Sequence, residues 1–182
     1  MTAPERPTAR AHREIAAVLR EGDLAIDATA GNGHDTVFLA KLVGETGKVI
    51  AFDVQEQAIV STKERLATEN LLERIKLVHG SHGLIAAHVK PGSVSAVMFN
   101  LGYLPGGDHA VITRTTETLQ ALEGALGVLK AGGILTIVCY PGHAGGDQES
   151  AAVVAWAEEH GAEVFRREDT VRPAPFLVLA RK

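Results

Sequence analysis

Residues 24–39 read LAIDATAGNGHDTVFL, a buried strand, a glycine turn and the opening of a helix. Leu24, Ala25 and Ile26 are apolar and end at Asp27, while Thr36, Val37, Phe38 and Leu39 begin a helical pattern. Between them, Gly31 and Gly33 let the backbone turn tightly and approach a ligand where a side chain would block it. A strand-to-helix turn of this kind leaves backbone N–H groups free at a helix N-terminus. The remainder of the chain can be read as the rest of one nucleotide-sized cleft around this turn.

Strand and helix patterns alternate from end to end. The periodicity predicts a first helix over 8–20, capped by Thr8, striped by Ile15, Val18 and Leu19 and stopped by Gly22. Strands are expected at 24–28, 48–54, 74–79, 95–100 and 134–140. Helices are expected at 34–43, 55–70, 113–130 and 147–160, with a short helical stretch at 83–88. Ala58, Ile59, Leu66 and Asn70 mark one face of the 55–70 helix. Leu119, Leu122, Leu126 and Leu129 share helical spacing, with Gly132-Gly133 expected as the C-cap, and Asp147 is the expected cap of the last helix. Strands at 162–167 and 176–180, joined through Pro173 and Pro175, are expected to pair as an antiparallel hairpin. Such alternation implies right-handed crossovers and an α/β fold with a mostly parallel sheet. The loops 27–34, 53–56, 79–83, 100–109 and 140–147 all follow strands, so they converge on the sheet edge where ligands of such folds bind.

At 182 residues the chain suits a single domain, 1–182, with 1–22 as an N-terminal helical extension. No run of about 18 apolar residues exists, so no membrane span is expected. The first residues, MTAPERPTARAHRE, hold no apolar signal core, and the single cysteine, Cys139, excludes an internal disulfide. Its apolar neighbours Ile137 and Val138 point to an inert buried thiol, and a cytoplasmic protein is expected. The net charge of −4 does not advertise a nucleic-acid binder. Basic residues do cluster at the two ends: Arg6, Arg10 and Arg13, then Arg166, Arg167, Arg172, Arg181 and Lys182. They would form a local basic patch if the ends meet, or a solvated surface if they do not.

The turn lacks the third glycine of the dinucleotide fingerprint, with Thr36 in its place. The spacing D-x-x-x-G-x-G from Asp27 through Gly31 to Gly33 instead resembles motif I of class I S-adenosylmethionine-dependent methyltransferases. There the turn, including Asn32, wraps the methionine part of the cofactor and the acidic residue lies near its amino group. Asp53 follows Gly33 by twenty residues and can accept hydrogen bonds from both ribose hydroxyls, or cap the next helix; Gln55 is placed to reach the ribose edge or adenine. Ser81 and His82 stand where the methyltransferase family contacts adenine, and His79 is expected to point into the sheet. His34, His79, His82 and His143 invite a metal reading, but no H-x-x-x-H or H-E-x-x-H spacing occurs and no metal is expected.

Strand four ends in Asn100-Leu101-Gly102-Tyr103-Leu104-Pro105. This resembles motif IV of amino-methylating enzymes, (Asn/Asp)-Pro-Pro-(Tyr/Phe), with Leu101 and Gly102 in place of the two prolines. An amine that attacks a sulfonium methyl must be neutral, with its lone pair facing the carbon. The Asn100 carbonyl can hold an N–H and aim that lone pair, and Tyr103 can stack on a flat base. Asp108 or His109 can take a proton from an ammonium substrate, with His143 as an alternative base. Tyr140-Pro141-Gly142-His143 reads as a substrate wall or lid, and Glu149 as a dipole partner in the first turn of its helix.

The set DATAGNGHDT, FDVQ, HGSH, FNLGYLPGGDH and YPGHAGG, spread over about residues 8 to 182, resembles the small YtqB-type rRNA methylases, whose characterised members are the MnmM tRNA methyltransferases. The resemblance implies a seven-stranded sheet ordered 3-2-1-4-5-7-6, with helices on both faces and an antiparallel last strand. It implies methyl transfer from S-adenosylmethionine to the amine of 5-aminomethyl-(2-thio)uridine at tRNA wobble position 34. It carries cofactor roles onto Asp27, Gly31, Asn32, Gly33, Asp53, Gln55, Ser81, His82 and Asn100. Substrate or catalytic roles fall on Asn100, Tyr103, Leu104, Pro105, His109, Tyr140 and His143. The partner would be the tRNA anticodon stem-loop, whose wobble base is single-stranded and easily splayed out. The acidic net charge stands against tRNA binding, and a homodimer with a composite basic groove would relieve it. Methylation of rRNA or of a small-molecule amine is the alternative.

Overall fold

The computed structural model describes residues 5–102, 115–142, 145–166 and 173–182. Its elements run α1 (Pro7–Val18), β1 (Leu24–Asp27), α2 (His34–Val43), β2 (Lys48–Asp53), α3 (Glu56–Thr68), β3 (Ile75–His79), α4 (Ile85–His88), β4 (Val94–Leu101), α5 (Thr115–Val128), β5 (Leu129–Cys139), α6 (Gly146–Glu159), β6 (Glu163–Phe165) and β7 (Phe176–Arg181). Short 3₁₀ turns, Leu72–Arg74 and His82–Leu84, precede β3 and α4. The seven strands form one sheet in the order β3-β2-β1-β4-β5-β7-β6. The first five pair in parallel, and β7 pairs antiparallel with both β5 and β6. This is the class I methyltransferase sheet expected from the resemblance.

The period-two alternation of strand side chains divides the core between the two faces. Ile26, Val97, Phe99 and Phe52 point to one face, where Ile85 of α4, Leu122 of α5 and Trp156 of α6 cover them. Ala25, Ala96, Met98 and Val49 point to the other, under Ile15 of α1, Leu39 of α2 and Leu66 of α3. All positions of β4 but Asn100 are buried, because the strand is central and covered on both sides. The polar exception stands at the strand's C-terminal end.

Several caps differ from the sequence expectation. Helix α1 starts at Pro7 with Arg6 as N-cap, because the proline ring presets the helical φ one residue before Thr8. It ends at Val18, short of Gly22. Asn70 does not extend the α3 face; it is exposed and left-handed (φ 55°) just beyond the helix. Gly132-Gly133 does not cap α5, which ends at Val128. The pair lies in an irregular opening of β5, where the ladder jumps from Val94↔Leu129 to Ala96↔Ile134. Gly132 takes φ 76° there and donates its N–H to the Lys182 carbonyl at 2.7 Å. Helix α6 is capped by Gly145, and Asp147 Oδ1 instead accepts the Gly142 N–H at 2.9 Å.

Helix α1 packs against the sheet. Its Ala11 and Ile15 are fully buried, and Glu14 Oε2 accepts a hydrogen bond from Arg181 Nη2 at 2.9 Å. The Arg10 guanidinium lies 3.5 Å from the centroid of the Phe165 ring. Ile15→Ala is expected to destabilise the fold by about 2–5 kcal/mol, the usual cost of a large-to-Ala cavity in a packed core. Urea unfolding checks this; a loss under about 0.5 kcal/mol, the ordinary surface-substitution range, would make α1 a loose appendage.

Candidate active site

The glycine turn after β1 is stitched to both neighbouring strands. The Ala28 N–H donates to the Met98 carbonyl of β4 and the Ala30 N–H to the Phe52 carbonyl of β2, each at 2.8 Å. From α3, the Thr62 hydroxyl donates to the Gly31 carbonyl at 3.1 Å and Arg65 Nε to the Asn32 carbonyl at 2.6 Å. Gly33 is the N-cap of α2 with φ 79°, and a Cβ there would stand 2.9 Å from the Thr62 Cα. Only glycine fits, on conformation and on space. No side chain among the described residues caps α2, so its first N–H groups remain for a ligand.

Asp27 is fully buried beneath the turn. Its Oδ1 accepts the Thr29 N–H at 3.1 Å and its Oδ2 the Thr36 hydroxyl at 2.6 Å. The carboxyl therefore faces the underside of the turn, and its place is that of a brace. Burial, and then the nearby charge of Asp35, push its pKa up to about 7. Asp53 ends β2 on the open side. Its Oδ2 accepts the Gly31 N–H and its Oδ1 the Gln55 N–H, both at 2.9 Å. Gln55 itself is the N-cap of α3, so Asp53 is not the helix cap; its half-buried carboxylate is fixed against the glycine turn.

The loop after β3 departs from expectation. Ser81 is half-buried and caps the following 3₁₀ turn, its Oγ accepting the Gly83 N–H at 3.1 Å. His82 is only 7% exposed, with Nδ1 facing the Ala28 carbonyl at 3.2 Å and its ring edge-on to Phe99. Burial lowers its pKa, and its side chain does not reach the cavity at the strand ends. His79 does not point into the sheet. It is exposed, with Nε2 donating to the Val54 carbonyl at 3.1 Å. Of the other two histidines of the metal reading, His34 lines the cavity below, and His143 lies outside the described residues.

A cavity of about 650 Å³ opens at the strand ends, the size of a nucleoside-scale ligand. The glycine turn (Gly31, Asn32), Asn100 and Tyr140 line it, as the sequence suggests. So do Thr8 and His12 of α1 and Asp35 of α2, which sequence reasoning missed. The Asn100 N–H donates to Thr29 Oγ1 at 2.8 Å, and its Nδ2 donates to Asp35 Oδ2 at 2.5 Å. Asp35 Oδ1 accepts from His12 Nε2 at 2.6 Å, and the His12 ring stacks on Phe38 with centroids 3.9 Å apart. Tyr140 stands beside Gly102, and burial, reinforced by the Asp35 charge, raises its phenol pKa. Asp53 and Asn100 thus hold the same turn, two residues apart; Asn100 lines the cavity, and Asp53, Gln55 and Ser81 stand outside its lining.

Tyr103, Leu104, Pro105, Asp108, His109 and His143 lie outside the described residues, as do Arg167 and Arg172. Glu149 is more than a dipole partner: it is 2% exposed and accepts the Thr118 hydroxyl at 2.6 Å, joining α6 to α5. Cys139 is buried and its thiol pKa is pushed up, which leaves it inert. The basic ends do meet, but Arg13 pairs with Glu5 and Glu14, and Arg181 with Glu14. Among the described residues no group of three or more His, Cys, Asp or Glu side chains could hold a metal ion.

Residues 49–170 match the family model described as "Putative rRNA methylase". A curated relative, the chloroplastic tRNA (mnm(5)s(2)U34)-methyltransferase of Arabidopsis thaliana, is 40% identical over 161 residues, 84% of this chain. Demethylmenaquinone methyltransferase of Staphylococcus aureus is 31% identical over 121 residues, 66% of the chain. The chain spans only 59% and 44% of the lengths of these two relatives. Among solved structures, a "putative rRNA-methylase" from Clostridium thermocellum superposes with a TM-score of 0.95 at 37% identity, covering 99% of both chains. A "putative methyltransferase" from Streptococcus mutans in complex with SAH superposes with a TM-score of 0.87 at 38% identity, covering 97% of this chain and 98% of that one.

The raised pKa of Asp27 has a definite sign. Between the unfolded value of 3.8 and about 7 the folded state binds more protons than the unfolded state, so this group's contribution to stability falls as pH rises. Asp27→Asn, which cannot ionise, is expected to gain stability relative to the wild type on going from pH 4 to pH 7. Denaturant unfolding of both proteins across that range checks this, and a constant difference would contradict it.

Proposed function

The chain belongs to the rRNA methylase family and is an S-adenosylmethionine-dependent methyltransferase of the class I fold, and from that premise we propose that it methylates the amine of 5-aminomethyl-(2-thio)uridine at wobble position 34 of tRNA. The product is 5-methylaminomethyl-(2-thio)uridine. The observation that carries this reading is the setting of Asn100. Its Nδ2 is committed to Asp35, and among the described residues no donor occupies Oδ1, an acceptor suited to a substrate N–H. Held from both ends beside the glycine turn, it can aim an amine lone pair without further rearrangement. The 40% identity to the Arabidopsis tRNA enzyme supports the choice of nucleoside.

The residues present fit S-adenosylmethionine. The uncapped N-terminus of α2 suits its carboxylate, with Gly31, Asn32 and Gly33 close to the ligand and Asp27 bracing them from below. Asp53 and Gln55 suit the ribose, and the Ser81 loop the adenine. When bound, the cofactor supplies a methyl group on a positively charged sulfur. Asn100 orients the amine, and Tyr140 forms part of the wall against which a flat base can lie. Tyr103, Leu104, Pro105, His109 and His143 complete the proposed substrate side.

The partner in this reading is the anticodon stem-loop of tRNA, met in the cytoplasm, and a homodimer would enlarge the basic surface. No described helix is long and apolar enough to cross a membrane. A second reading, methylation of rRNA or of a small-molecule amine, draws on the net charge of −4 and on the pairing of Arg13 and Arg181 with carboxylates.

Nucleoside mass spectrometry of tRNA from a deletion strain is the test. Accumulated 5-aminomethyl-(2-thio)uridine is expected, and an unaltered wobble profile would shift weight to the second reading. Asn100→Ala is expected to keep cofactor binding and lose turnover; retained turnover removes Asn100 from the mechanism. Asp53→Ala is expected to weaken S-adenosylmethionine binding by more than about 1 kcal/mol, the scale of a charged hydrogen bond, as read by calorimetric titration.

A further inference from the structure

The proposed reaction needs a proton acceptor. Aliphatic amines are mostly protonated at neutral pH, and an ammonium has no lone pair to attack with. Among the described residues, one pair of side chains in the cavity has the make-up of a base and its orienting carboxylate. His12 Nε2 lies 2.6 Å from Asp35 Oδ1, and Asp35 Oδ2 accepts from Asn100, the residue proposed to hold the amine. The three side chains come from α1, α2 and β4 and meet on one wall. The His12 side chain is 33% exposed, so its ring is reachable, and its stacking on Phe38 fixes the ring plane. Asp35 is only 16% exposed, which strengthens its hold on the imidazole. In the first turn of α2 it also complements the helix dipole, but that role needs no histidine opposite.

We propose that the His12–Asp35 pair takes the proton from the ammonium form of the substrate, with Asp35 linking this base to Asn100. The inference rests on the amine-methylating reading above. The substrate N–H bond breaks and the proton bonds to the imidazole, which becomes an imidazolium held by the Asp35 carboxylate. The lone pair so freed forms the N–C bond while the C–S bond breaks, its electrons remaining on sulfur as a thioether. The proton passes to solvent when the methylated product leaves. The titratable groups around the pair are Asp27 on β1, His34 on α2 and Tyr140 after β5. On α1, Arg13 and Glu14 are engaged elsewhere, with Glu5 and Arg181.

The test follows methylation of tRNA carrying 5-aminomethyl-2-thiouridine, with wild type, His12→Asn and Asp35→Asn, from pH 6.5 to 10. At pH 7 both variants are expected to lose about 10²-fold in kcat, a typical share for general-base catalysis. Their KM for S-adenosylmethionine should be unchanged, which also reports that they are folded. Toward pH 10, where the amine is neutral without help, His12→Asn should recover most of the wild-type rate. A His12→Asn rate equal to wild type at pH 7, or a deficit that persists undiminished at pH 10, overturns the proton-acceptor role. A wild type that methylates no such tRNA overturns the substrate reading itself, and the inference with it.

Discussion

Two hydrogen bonds to one turn organise the molecule. The Gly31 N–H is held by Asp53 of β2, and Thr29 Oγ1 receives the N–H of Asn100 from β4. The turn between them belongs to β1, the strand that both neighbours flank. Because each partner sits on a separate parallel strand, the spacing of the sheet sets the spacing of the site. A shift of one residue in either ladder would flip the carboxylate or the amide to the opposite face. The register Asp27↔Ala51 and Asp27↔Met98 therefore fixes the position of functional atoms as well as the core.

The turn is also held from below, at a cost. Asp27 sits fully buried, where a charge is disfavoured, and it shares the region with Asp35 and Asp53. Thr29 and Thr36 satisfy its oxygens, which makes the burial tolerable and leaves no slack in the loop. Arg65 and Thr62 hold the outward carbonyls of the same turn. A loop whose carbonyls and underside are both engaged can leave its remaining N–H groups for a ligand without collapsing on itself.

The mostly parallel sheet was legible in the sequence because it follows from apolar periodicity and from the alternation of strands and helices, while the strand order came from the family resemblance. Gly31, Gly33, Asp53 and Asn100 drew attention in the sequence because a strand-end position and a fixed spacing mark them. The His12–Asp35 pair was not. Asp35 sits inside the DATAGNGHDT motif but reads as an ordinary first-turn acid, and His12 lies in a helix whose docking nothing local specifies. Only the packing of α1 against β4, β5 and α2 brings the two together. His82 failed in the opposite direction. A histidine on a strand-end loop resembles a ligand contact, and burial beside Phe99 made it a core residue. The misplaced caps at Thr8, Gly132-Gly133 and Asp147 share one cause: a proline or a nearby backbone partner outweighed a local propensity.

One wall of the cavity is built by α1, and α1 is fastened by Glu14 to Arg181, 167 residues further along the chain. Closing so long a span is slow, and it gives nothing back until the distant strand is in place. During synthesis the Glu14–Arg181 bond forms only after β7 has emerged, whereas the packing of α1 on α2, β4 and β5 involves residues made before it. The last strand to be made thus fastens the first helix, and with it the wall that carries Thr8 and His12.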